Sequence, residues 1–241
     1  MRRIALLVLA LVATFASPLA AQVVTYEVVE EESTPSDHGA DRIVDVANAV
    51  VPHGIARFGP FRVLDAGHAA LVDVTDARSP AAFAAMLAAY PAIAELDMIE
   101  CPGTMDDVAN LRLGRMIHAR ALVTHVPDGG SVRSGAVELF LAGTRRSAGP
   151  RAEFAVHSWL DDDGKQPSDY ARDAPVNRTY LDYYREMGMT AIEAQAFYDM
   201  TNAVANDDAR WLNAAQMGQW VRLDGGHAVK LAALDSARPL R

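Results

Sequence analysis

The sequence predicts an α/β fold built on a mostly parallel sheet, and three observations carry that prediction. Short apolar runs at 70–74, 96–101, 121–124 and 153–157 have the length of buried strands. Between the first three stand segments with helical spacing of apolar side chains: Phe83, Met86, Leu87 and Tyr90 in one, Val108, Leu111, Leu113, Met116 and Ile117 in the next. Strand and helix therefore alternate at the spacing of βαβ units, which makes consecutive strands parallel.

Each element has a local reason. Arg2-Arg3, an apolar core from Ile4 to Phe15 and the small-residue stretch Ser17-Pro18-Leu19-Ala20-Ala21 read as a signal peptide over 1–21, cut near Ala20 or Ala21. Residues 22–66 are acidic and then polar at first, so this N-terminal segment is expected to be partly irregular, with one strand at 23–29. The α/β domain is expected over 67–224 and an uninformative tail over 225–241. Ser79-Pro80 opens the first helix as N-cap and N1 proline, and Pro91 ends it. Asp106 or Asp107 caps the second helix after the turn Pro102-Gly103, and Pro127-Asp128-Gly129-Gly130 makes a loop. A third helix runs 134–141 and closes at Gly143. Beyond a polar connection at 161–168, helices are expected at 178–187 and 191–203, broken at Gly188, and a short strand at 221–223.

Composition narrows the function. A chain of 241 residues with a single cysteine, Cys101, holds no intrachain disulfide and no paired-cysteine zinc site. Export without disulfides fits a periplasmic or secreted bacterial protein. With 31 acidic against 22 basic side chains the formal charge is -9, which argues against nucleic acid and anionic membranes as partners. No later run is apolar enough for a transmembrane segment after signal removal. His118 and His125 lack a second ligand at helical spacing, so no metal and no cofactor is expected.

The candidate chemistry centres on Ser134. A serine hydroxyl becomes a nucleophile only with a base in hydrogen-bond reach, a third group orienting that base, and donors facing the oxyanion. Ser134 opens a helix, so the amide of Gly135 lies beside its hydroxyl. The Gly-x-Ser-x-Gly elbow is missing around Ser131 and Ser134. A serine–lysine dyad would have to draw on Lys165 or Lys230, and Lys165 sits in an acidic loop. Cys101 reads as a buried structural thiol.

Pro102-Gly103, the run Ser-Gly-Ala-Val-Glu-Leu-Phe-Leu-Ala-Gly from Ser134, then Arg145 or Arg146, Ala148, Pro150, Ala152 and Val156-His157-Ser158 resemble the Clp protease-like serine hydrolases of the ClpP/crotonase superfamily. The resemblance spans 69–223 and is most specific over 134–158. It implies a spiral of ββα units and a triad in the order serine, histidine, aspartate. Ser134 matches the nucleophile and His157 the general base. The acid falls just before Arg210-Trp211-Leu212, at Asp208 or, one residue earlier, Asp207. The oxyanion donors would come from Gly103, Thr104 and Gly135. The chain departs from the family pattern where Thr104 replaces a second glycine, where Val132 and Ala136 flank the serine, and where Arg133 puts a bulky charge before it. The resemblance implies a peptide or acyl substrate. It also implies helices that cover the site or join homo-oligomers, here the segment bearing Tyr180, Tyr183, Tyr184, Phe197 and Tyr198, which equally reads as packing against the sheet. The competing class is a catalytically inactive binding or scaffold protein of the same type. The acyl-coenzyme A branch ranks third, since coenzyme A is not expected outside the cytoplasm.

Overall fold

Among the described residues the chain forms ten strands and six α-helices, and the strands make two sheets. The successive pairs Glu95–Met98 with Glu100–Cys101, Val123–Val126 with Ser131–Arg133, and Arg145–Ala148 with Glu153–Val156 each give one strand to each sheet. The computed structural model describes residues 50–224, which belong to one compact unit. The signal peptide, the strand at 23–29 and the tail at 225–241 lie outside the described residues. Among the described residues no helix is long and apolar enough to cross a membrane.

The larger sheet has six strands in the order β1 (Ala56–Phe58), β2 (Phe61–Val63), β3 (His68–Leu71), β4 (Glu95–Met98), β6 (Val123–Val126) and β8 (Arg145–Ala148). Its first three strands are antiparallel neighbours and the pairs from β3 to β8 are parallel. The smaller sheet runs β10 (Arg210–Asn213), β9 (Glu153–Val156), β7 (Ser131–Arg133), β5 (Glu100–Cys101). There β5, β7 and β9 are parallel, and β10 is antiparallel to β9.

Several boundaries differ from the sequence reading, each for a physical reason. The sheet begins at Ala56, inside the stretch expected to be partly irregular, because Phe61 and Val63 are fully buried against the first helix. The run 96–101 is two strands that part at Ile99, whose N–H donates to Leu71 O and whose carbonyl accepts from Ser131 N–H. That bend passes the chain from one sheet to the other, and a single apolar run hides it. The turns at Gly130 and Ala152 do the same for the next two pairs, β6–β7 and β8–β9. At the C-terminal end Arg210–Asn213, not 221–223, pairs with the sheet.

The helices pack as their apolar faces dictate. α1 (Ser79–Ala89) buries Phe83, Met86 and Leu87. α2 (Asp107–Ala119) is capped by Asp106, whose carboxylate accepts from Ala109 N–H at 2.8 Å. α3 (Ala136–Leu141) is wholly buried, Glu138 included. α4 (Pro175–Glu186) and α5 (Ala191–Thr201) follow, parted at Gly188, whose φ of 99° suits glycine. Arg146 donates to Leu141 O and Met187 O, tying the C-terminal ends of α3 and α4 together. A short α6 (Ala214–Met217) closes the described fold.

Candidate active site

Three adjacent parallel strands end at the same edge of the smaller sheet, and their register decides what meets there. Cys101 pairs with Val132 and Arg133 with Ala155. The next residues out are Gly103 after β5, Ser134 after β7 and His157 after β9. Sites at the carboxyl ends of parallel strands are the rule for such sheets, because loops can diverge there without breaking the ladder.

Ser134 lies on a sharp elbow between β7 and α3. Its φ is 49°, a left-handed conformation costly for a residue with a Cβ. The elbow is fixed on both sides: Ser134 N–H donates to Ala155 O at 2.9 Å and Ser134 O accepts from Val137 N–H at 2.9 Å. The helix therefore starts two residues later than the sequence reading has it, and the serine is held in the turn rather than in the helix.

Gly103 faces this turn. A Cβ on Gly103 would stand 2.9 Å from Ser134 Cβ, and its φ of 138° belongs to glycine. Gly135 is equally confined, since a Cβ there would come within 2.5 Å of Thr104 Cγ2. A buried polar chain holds the two turns in place. Thr75 Oγ1 donates to Asn110 Oδ1 at 3.0 Å, and Asn110 Nδ2 donates to Gly135 O at 2.5 Å. Thr75 N–H binds Gly103 O and Met105 N–H binds Thr75 O. The N–H groups of Gly103, Thr104 and Gly135 find no acceptor among the described residues. Donors left over beside a serine hydroxyl are available to an incoming oxygen.

His157 shares a cavity of about 130 Å³ with Ser134, Thr104 and Gly135. Its Nδ1 lies 2.9 Å from Ser158 O. A carbonyl can only accept, so Nδ1 carries the hydrogen and Nε2 of the neutral ring keeps its lone pair. Asn206 Nδ2 donates to the same carbonyl at 2.9 Å and stands 3.2 Å from Nδ1. Asn206 reaches this place because Ser158 N–H binds Val204 O and Ser158 Oγ donates to Asn202 O, which draws the segment after α5 alongside.

The expected acid, Asp208, is elsewhere. It is exposed, does not line the cavity, and its carboxylate accepts from Ala209 N–H at 2.7 Å. Asp207 is exposed as well and also absent from the cavity wall. The turn in which Asp208 N–H binds Ala205 O presents Asn206 to the imidazole and turns the aspartates outward. Arg133 is not at the mouth either. It is 5% exposed and pairs with Glu100 on the neighbouring strand at 2.7 Å. Cys101 is fully buried, and burial pushes its thiol up, which leaves it inert at neutral pH. Lys165 pairs with Asp163 outside the cavity.

Two carboxyl groups missed by the sequence reading do line the cavity. Asp107, at the start of α2, accepts from Tyr180 Oη at 2.7 Å. Desolvation raises its carboxyl above the ordinary value, against the Tyr180 hydrogen bond and the His157 charge. Glu138, one helical turn beyond Ser134, accepts from Tyr184 Oη at 2.8 Å, and burial pushes it up to about 7. The aromatic segment thus both packs on the core and forms the cavity wall. Glu138 had a visible signal, as the one charge in the apolar run 136–141. Asn206 had none.

No protein-family model matches the chain, and no curated protein does. Among solved structures the chain is similar to the 1510-N membrane-bound stomatin-specific protease, in one mutant complexed with a substrate peptide and in a second mutant. Both superpositions have a TM-score of 0.42 at 14% identity over 64% of this chain, covering 73% and 77% of the other.

Proposed function

We propose that the chain is an exported serine hydrolase of peptidase type, a member of the Clp protease-like group, in which Ser134 is the nucleophile. The observation that supports this most is the strained Ser134 elbow opening into the cavity shared with His157, whose Nδ1 hydrogen is committed to Ser158 O. Strain of this kind persists where function requires it.

The reaction follows from the groups present. Ser134 Oγ attacks an acyl carbonyl while His157 Nε2 takes its proton. The N–H groups of Gly135 and of the Gly103–Thr104 turn hold the oxyanion. Collapse returns the proton from Nε2 to the leaving group, and water then hydrolyses the acyl-enzyme with the same base. Ser158 O orients the imidazole by accepting from Nδ1–H, and Asn206 holds that carbonyl by donating to it, a role that needs the correct tautomer more than a full negative charge. Export rests on the segment from Arg2 to Ala21, and N-terminal sequencing of the mature protein from cell fractions tests it.

A fluorophosphonate probe tests the chemistry. Labelling of the native chain that disappears in Ser134→Ala supports the hydrolase. A well-folded native chain that takes up no label makes it a binding or scaffold protein of the same fold, a reading favoured by the amide beside Nδ1.

A further inference from the structure

The cavity around the nucleophile is more polar than acyl transfer requires. Asp107 lies three residues beyond Thr104, at the start of α2, and Glu138 lies four beyond Ser134, on α3. The carboxyls thus flank the reacting centre from the two turns that build it. Each is aimed by a phenol on one face of α4: Tyr180 donates to Asp107 and Tyr184, four residues on, donates to Glu138. Glu138 is 8% exposed, and a carboxyl buried there without a positive partner keeps its proton up to about pH 7. No Lys or Arg side chain lines this cavity.

Resting on the hydrolase reading, we infer that Asp107 and Glu138 determine specificity, and that the cavity takes a substrate whose acyl residue carries a cationic side chain, an ammonium or guanidinium.

A cationic guest would let these two carboxyls ionise against it. It would hydrogen-bond carboxyls already fixed by phenols, so little ordering entropy is lost on binding. The overall charge of -9 draws the same kind of substrate from solution.

The test uses Nα-acetyl 4-nitrophenyl esters of lysine, norleucine and glutamate, matched in length and differing in charge. The lysine ester is expected to exceed the norleucine ester in kcat/KM by about tenfold or more, the worth of one charged hydrogen bond, with the glutamate ester lowest. Asp107→Asn brings the lysine-to-norleucine ratio to within about threefold of unity, and Glu138→Gln lowers it less. Tyr180→Phe, which frees the Asp107 carboxyl without removing it, gives an intermediate ratio and replaces Asp107→Asn if that variant does not fold. A ratio near one, or one unchanged in these variants, in a protein that still takes the fluorophosphonate label overturns the specificity and leaves the hydrolase standing. Absence of labelling overturns both.

Discussion

The two sheets share one construction and differ in what their strand ends carry. In the larger sheet β3, β4 and β6 are flanked on both sides by partners, and Ala69, Leu71, Leu96 and Met98 are fully buried. Its strand ends feed bends into the second sheet. In the smaller sheet three short strands end in Gly103, Ser134 and His157, and the backbone there is strained, glycine-dependent and rich in uncommitted N–H groups. Both sheets bury their strand interiors; the smaller one also holds, at its strand ends, a conformation that the local sequence alone would not keep.

If that division is right, substitutions in the two sheets have separable effects. Ser134→Ala is expected to cut turnover by about 10⁴-fold or more with stability kept or raised, since alanine still bears the φ strain but loses no buried bond; assays of kcat alongside thermal melting check it. Gly103→Ala pushes a methyl against Ser134 and displaces an oxyanion donor, so kcat falls by about 10²–10³-fold. Unchanged kcat in a folded Gly103→Ala protein would move the oxyanion site away from this turn. Leu96→Ala, in the larger sheet, is expected to cost about 2–5 kcal/mol in urea unfolding while kcat per folded molecule stays the same.

Glu138 sharpens the comparison through pH. Its folded value of about 7 stands above the 4.5 of the free group, so the folded state keeps a proton that the unfolded chain releases. Its contribution to stability is full below about pH 4.5, falls as pH rises, and is lost, by about 3 kcal/mol, above pH 7. Glu138→Gln keeps an acceptor for Tyr184 and should flatten this dependence in denaturant titrations at pH 4 and 8. The same pH dependence in the wild type and in Glu138→Gln would contradict the burial argument. The smallest effect is expected at the imidazole. Asn206→Ala should lower kcat by about tenfold through loss of orientation, whereas Asp208→Asn should change it by less than about twofold. The reverse ranking would return the acid role to Asp208.

Much of this was legible in the chain. Periodicity located α1, α2, α4 and α5 to within a few residues, because each buries one clear apolar face. Pro102-Gly103 and the serine before an apolar helix marked two of the three strand ends. The division of 96–101 between two sheets was not legible, since both halves are apolar and a bend leaves no compositional mark. The four-residue strand at Arg210–Asn213 alternates only weakly and was readable only as a family-like aromatic–leucine pair. The resemblance puts the acid just before Arg210-Trp211-Leu212, at Asp208 or Asp207, yet the offset of a turn cannot be counted without its hydrogen bonds.

The amino-acid sequence by itself determined the alternation of strands and helices, the absence of disulfides, the acidic charge, the strand ends at Gly103 and His157 and the helix that follows Ser134, because these follow from local residue preferences and composition. Only the tertiary structure decided that Asn206 rather than Asp208 stands at the imidazole and that Asp107 and Glu138 face the same cavity. Those facts depend on strand register and on where α4 packs, and register is set by contacts between residues far apart along the chain.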